Sequence, residues 1–305
     1  MARPAVPKSN YASSGYRIRS EFVLPELDPA GSSPAVPSID IRRVRFKKND
    51  FARCTKPLHD YFYETLPGLT RLYWPGEVRI EIRGGREILA EAEHGMDARS
   101  LRLCLLGPAL ATALRQRGHV VLHASCVREG RNGFAFLGPA GAGKSTLALA
   151  LARRGFSLVT DNVLAIHNGR TPLVWRSQAQ IKCSPDIFSQ YAFSAGRHER
   201  VEADNPKRSV LLKSTGRESA AFLRRVYVLG QGVHAAIRPV NKCQALLEMA
   251  RHPCGIVPAE SDARPEHFSA LARIASRVPF FSLTHERGLS HLEAFVDLVE
   301  RAIRS

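Results

Sequence analysis

Between Gly133 and Gly155 a strand, a glycine-rich turn and a helix follow one another without a gap. The run GFAFL, Gly133–Leu137, is apolar; GPAGAGKST, Gly138–Thr146, comes next; LALALARRG, Leu147–Gly155, is helical in composition and closes on a glycine. The spacing of Gly138, four residues, then Gly143-Lys144-Ser145 satisfies the P-loop pattern and predicts a backbone turn that wraps a polyphosphate. Gly138, Gly141 and Gly143 free the chain to point successive N–H groups inward, and Pro139, Ala140, Ala142 and Thr146 complete the wrap. The helix adds the positive end of its dipole. Lys144 is expected to supply a point charge to the β and γ phosphates of ATP, and the Ser145 hydroxyl a ligand to the accompanying Mg²⁺.

Composition narrows the class. A chain of 305 residues with 44% hydrophobic content suffices for one or two domains. No apolar run approaches the roughly 18–20 residues that span a bilayer, and the first twenty residues lack the apolar centre of a secretory signal. The six cysteines, at 54, 104, 126, 183, 243 and 254, form no CxxC pair, which argues against a zinc site or a disulfide scaffold and for a reducing cytoplasm. Lys and Arg number 44 against 28 Asp and Glu, a formal charge of +16. That excess suits an anionic partner, or reflects an Arg-rich surface without one. The basic residues are spread out and not interleaved with aromatics, so nucleic acid is a minor alternative.

In order along the chain, residues 1–97 read as an extended Pro- and Ser-rich arm, interrupted by the strand-like Tyr16–Leu24, and then a small β-rich region with a hairpin turn at Gly84-Gly85. The aromatics from Phe51 to Trp74 fit the core of a small sheet better than a peptide groove. Residues 98–305 form the second region. It opens on a helical stretch, Ala98–Arg117, broken near Pro108 and closed by Gly118. A buried strand over His119–Val127 follows, then the strand that feeds the loop, the helix, and a further strand ending at Asp161. Later come a turn at Gly230-Gln231-Gly232 and helices from Lys242, Pro265 and Leu289.

Asp161 lies 161 − 144 = 17 positions after Lys144, one helix and one strand, and so is expected at the same sheet edge as the loop. A carboxylate there binds Mg²⁺ or takes the proton of an attacking hydroxyl; the alternative is a turn cap formed with Asn162. His123 reads on pattern alone as a core histidine of an apolar strand. Lys182 reads as a solvated residue at a strand end, with reach to a phosphate or a substrate carboxylate as the alternative.

The run Leu122–Ile166 (LHASCVREGRNGFAFLGPAGAGKSTLALALARRGFSLVTDNVLAI) resembles the catalytic domain of HPr kinase/phosphorylase, and more closely its shorter homologues found beside lasso-peptide biosynthesis genes. The resemblance implies an α/β P-loop fold with a mixed sheet and flanking helices, preceded by the small β-rich region. It implies that His123, Lys144, Ser145 and Asp161 surround the γ-phosphate of ATP, with Asp161 as general base and, with Ser145, at the Mg²⁺. Three departures stand out: Asn162 where the family has a second Asp, Thr146 where the bifunctional enzyme has Glu, and a segment 198–214 whose Lys207, Arg208 and Lys213 carry no individual assignment. The implied activity is transfer of phosphate from ATP to a serine of a ribosomal peptide precursor, with a phosphocarrier protein as the alternative acceptor. A nucleotide-binding interaction module and a plain ATPase stay open as other readings, as does self-association.

Overall fold

The computed structural model describes residues 9–31, 36–47, 49–178, 180–192, 196–202, 205–212, 220–256, 265–286 and 288–305. It is a mixed α/β protein of two units. One takes the described residues within Met1–His119 and Gly255–Ala259; the other takes those within Val120–Cys254 and Glu260–Ser305. The first unit thus includes the helical stretch from residue 98. Among the described residues no helix is long and apolar enough to cross a membrane.

The first unit holds nine strands: β1 (Ser9–Ser13), β2 (Tyr16–Ser20), β3 (Asp28–Pro29), β4 (Ser38–Arg43), β5 (Lys56–Leu58), β6 (Tyr61–Leu66), β7 (Leu69–Trp74), β8 (Val78–Arg83) and β9 (Glu87–Ala92). They form one sheet in the order β3-β1-β2-β4-β9-β8-β7-β6-β5. The expected arm is in part this sheet: β1 and β2 pair as a hairpin, Ser9 opposite Ser20, whereas residues 1–8 lie outside the described residues. The sheet is larger than the small region expected, because β4 pairs parallel to both β2 and β9 and joins the two halves. The β8–β9 turn runs through Gly84 and Gly85 as the sequence predicts, both at positive φ. Strand β7 alternates, with Thr70, Leu72 and Trp74 buried, and Tyr61 stacks on Trp74 at 4.4 Å between centroids, so these aromatics are core. Helices α1 (Ala98–Cys104) and α2 (Leu110–Gln116) are separated at Pro108 by a widened turn, and Gln116 and Arg117 bond the backbone of Gly85.

The second unit contains β10 (Val120–His123), β11 (Ser125–Glu129), β12 (Asn132–Leu137), α3 (Lys144–Arg153), β13 (Ser157–Thr160), β14 (Val163–Asn168), β15 (Pro172–Val174), β16 (Gln180–Cys183) and the single turn α4 (Pro185–Ile187). It continues with β17 (Gly196–Glu202), β18 (Asn205–Leu212), β19 (Ala221–Gln231), β20 (Ala236–Val240), α5 (Lys242–Arg251), α6 (Pro265–Arg277), β21 (Phe280–His285) and α7 (Leu292–Arg304). The main sheet runs β10-β14-β15-β19-β12-β11-β13, with β21 beside β19 and β20 beside β21. Strands β16, β18 and β17 make a separate three-stranded sheet.

Strand β12 is central and covered on both faces. Phe134 and Phe136 point into one core with α3 and α7, and Ala135 and Leu137 into another with α5 and α6. Helix α3 buries Leu147 through Leu151 consecutively, which is why its sequence is apolar all round instead of striped. Two expectations fail here. The strand over residues 119–127 is two strands broken at Ala124, and Gly230 and Gln231 belong to β19, paired with Thr284 and His285, so the turn comes after them. In the first case the two halves pair with different strands, β10 with β14 and β11 with β12; in the second, pairing with β21 overrides the local turn signal.

Candidate functional site

Strand β12 delivers Leu137 into the loop Gly138–Gly143, and α3 starts at Lys144. Gly138 sits at φ +142°, and a Cβ there would lie 2.8 Å from the carbonyl oxygen of Leu229, so the loop leaves the sheet by a path closed to other residues. Gly143, at φ 93°, turns the chain into the helix, whose first bond runs from the Leu147 N–H to the Gly143 carbonyl at 2.9 Å. Lys144 is only 6% exposed and folds over the loop, its ammonium donating to the carbonyls of Gly138 at 2.7 Å and Pro139 at 3.0 Å.

Beside the loop opens a polar cavity of about 410 Å³, bounded by Gly141–Thr146 on one side and by His123, Asp161, Asn162, Gln178 and Lys182 on the others. The sheet topology explains this convergence. Strands β10 and β13 are at opposite ends of the sheet path, yet β10 reaches β11 through Ala124 alone, and β13 reaches β14 through Asp161 and Asn162 alone. These short links draw the two ends together, so His123 and Asp161 meet although neither of their strands neighbours β12.

Asp161 is 9% exposed. Its Oδ1 accepts from the Ser125 hydroxyl at 2.6 Å and its Oδ2 from the Lys182 N–H at 3.2 Å. Burial pushes the carboxyl up to about 6, against the pull of hydrogen bonds from Ser125, Ser145 and Lys182 and the charge of Lys144. His123 goes the other way: burial, then the charges of Lys144 and His252, press it down to about 4, with the Asn162 side chain opposing. Near neutral pH the imidazole is therefore uncharged.

The donor set fits a nucleotide with a hard cation. The loop amides and Lys144 suit phosphate, and the Ser145 hydroxyl and the Asp161 carboxylate, both on the cavity wall, supply two oxygen donors. Among the described residues no group of three or more His, Cys, Asp and Glu is placed to hold a metal ion, at this site or outside it. Two protein oxygens are in keeping with Mg²⁺, which retains waters and takes its remaining ligands from phosphate.

Several residues of the site were not singled out by sequence reasoning. Ser125 and Gln178 come from β11 and from the link before β16. Lys182, by contrast, carries reach to a phosphate as its alternative in the sequence, and it lines the cavity. His252 accepts the His123 N–H on its carbonyl at 2.9 Å, as the chain after α5 runs beside β10. His285 ends β21, with its Nε2 3.0 Å from the Ala142 carbonyl. His285 reaches the loop because β12, β19 and β21 are parallel neighbours, so their carboxyl ends share one edge. Of the segment 198–214, Lys213 and the side chain of Lys207 lie outside the described residues, and Arg208 pairs on β18 with Cys183. Arg224 and Arg225 bond Asn132 and the Ala302 carbonyl, away from the cavity.

No protein-family model matches the chain, and no curated protein matches it. Among solved structures 37 chains match. One is the Hpr(Ser) kinase/phosphatase from Coxiella burnetii, 12% identical, covering 60% of this chain and 97% of that one, with a TM-score of 0.31. A likeness of that size carries neither fold nor chemistry to this chain.

Proposed function

We propose that the chain is an ATP- and Mg²⁺-dependent serine kinase. The observation that supports this best is the meeting of Lys144, Ser145, Asp161 and an uncharged His123 on one polar cavity at the end of a phosphate loop. Lys144 and the loop amides hold the phosphates, and Lys144 exchanges its bonds to Gly138 and Pro139 for phosphate oxygens. Ser145 and Asp161 hold the cation. Mg²⁺, when bound, neutralises charge on the transferring group.

Asp161 takes the proton of the acceptor hydroxyl as that oxygen bonds to the γ-phosphorus; the bond from phosphorus to the bridging oxygen breaks, and ADP leaves with the electron pair. The products are a phosphoserine, ADP and the proton on the carboxylate. A base near 6 matches this task at neutral pH. Ser125 and the Lys182 N–H hold the carboxylate in place. His123 pairs with Asn162, so Asn162 orients the imidazole where the resembling family has a second carboxylate.

The resemblance of residues 122–166 supplies the acceptor class: a serine of a lasso-peptide precursor, with a phosphocarrier protein second. Turnover in the cytoplasm, by one copy or several, suits either. Incubation of candidate precursors with the protein, ATP and Mg²⁺, followed by intact mass, tests the reading. A phosphoryl gain absent with Lys144→Ala and with Asp161→Asn is expected. ATP binding without a gain on any serine-bearing candidate sinks the kinase and leaves the interaction module.

A further inference from the structure

The phosphate loop borders two cavities of opposite character. The second, about 300 Å³, lies between the loop and the segment from His285 to Phe295. Gly141, Gly143 and Thr146 border both. The first cavity is walled by carboxylate, ammonium, amide and imidazole groups. Rings and aliphatic groups dominate the second: the His285 imidazole lies 4.5 Å from the Phe295 ring, centroid to centroid and tilted by 30°, and Leu289 stands at the mouth, 40% exposed. The His285 ring rests on the loop itself, since a Cβ at Gly143 would lie 3.6 Å from its Nε2, which also meets the Ala142 carbonyl at 3.0 Å.

A nucleotide is a molecule of two such halves. Its phosphates need converging N–H donors and a cation; its base is a flat aromatic plate that gains by leaving water and lying against apolar and ring surfaces. Both halves can be served at once only where a polar and an apolar cavity share a wall of backbone amides. Here that wall is Gly141, Gly143 and Thr146. The volume of the second cavity is at the lower end of small-molecule sites, sufficient for a base but not for a peptide chain. Glu286 and His291, 3.7 Å apart and exposed at its rim, put polar groups where sugar hydroxyls emerge.

We propose that the second cavity is the nucleoside pocket: the base lies against His285 between Leu289 and Phe295, and the phosphates pass over Thr146 and the loop glycines into the polar cavity. This rests on the phosphate-loop reading above and adds to it. The donor is selected as a nucleoside triphosphate through its base, and an inorganic polyphosphate, which offers the loop the same oxygens, binds more weakly.

The test is calorimetric titration of the full chain, with Mg²⁺, using ATP and tripolyphosphate. Wild type is expected to bind ATP at least about tenfold more tightly than tripolyphosphate. Leu289→Asp sets a carboxylate in the apolar mouth at an exposed position where the fold tolerates it. It should weaken ATP about tenfold while tripolyphosphate stays within about twofold of wild type. Equal affinity of the wild type for both ligands, or an unchanged ratio in Leu289→Asp, overturns the nucleoside pocket and leaves the phosphate loop standing. Absence of binding by either ligand overturns the phosphate-loop reading itself, and the pocket with it.

Discussion

The Ser125 hydroxyl donates to Asp161 Oδ1 across 2.6 Å, joining residues 36 positions apart in a buried pair. Ser125 opens β11 immediately after the one-residue link from β10, so the same break that sets His123 at the cavity sets Ser125 under the carboxylate. Ser125→Ala removes a bond that favours the charged form, so the Asp161 carboxyl rises further above its ordinary range. The variant is expected to lose about 1–3 kcal/mol of stability at pH 8 and less at pH 4, where the carboxyl is protonated. Urea melts at the two pH values check this.

Asp161 is held at a cost to the fold. Its folded value of about 6 is above the ordinary 3.8, so the stability it contributes is fully present below pH 4 and is lost as pH rises through 6. A displacement of this size corresponds to about 3 kcal/mol at neutral pH. Asp161→Asn, while abolishing transfer, should therefore stabilise the metal-free protein by about 1–3 kcal/mol at pH 7.5 and leave it unchanged or weaker at pH 4. Thermal melts in chelator show which.

His123 has the opposite slope. Its folded value of about 4 is below the ordinary 6.5, so its contribution is complete above pH 6.5 and is lost as pH falls toward 4. His123→Gln carries no such titration. Between pH 7 and 4.5 the variant should lose about 2 kcal/mol less stability than wild type. A wild-type-like acid limb in chemical denaturation would remove His123 from this account.

Gly138→Ala forces a side chain into a left-handed backbone position with a carbonyl oxygen 2.8 Å from the new carbon. Strain and overlap together should cost about 2–4 kcal/mol and remove nucleotide binding. Differential scanning calorimetry and ATP titration measure the two effects separately.

Much of this was legible in the sequence where the cause is local. The loop glycines, the helix after Lys144, the turn at Gly84-Gly85 and the break at Pro108 all follow from backbone preferences within a few residues. Lys144 and Asp161 were readable because a single helix and strand separate them. The sheet order was not, because β10, β13 and β19 are placed by pairings with distant strands. Ser125, Lys182, His252 and His285 belong to that second kind: each is an ordinary residue of its own segment, and only the curled sheet and its parallel strands bring it to the loop. Strand β2 lies within the strand-like stretch Tyr16–Leu24, but β1 (SNYAS) escaped, since its serines, asparagine and alanine carry little strand preference and are held by the sheet they complete.

The one-residue link at Ala124 and the two-residue link at Asp161 and Asn162 leave this region no slack in chain length. β10 is held in register by β14 and β11 by its hairpin with β12, so an added residue at Ala124 leaves both pairings in place and moves His123 away from Ser125. Insertions that surface turns of the same unit absorb are thus barred here. Between β10 and β14 the spacing of the chain is as much a part of the site as the side chains it carries.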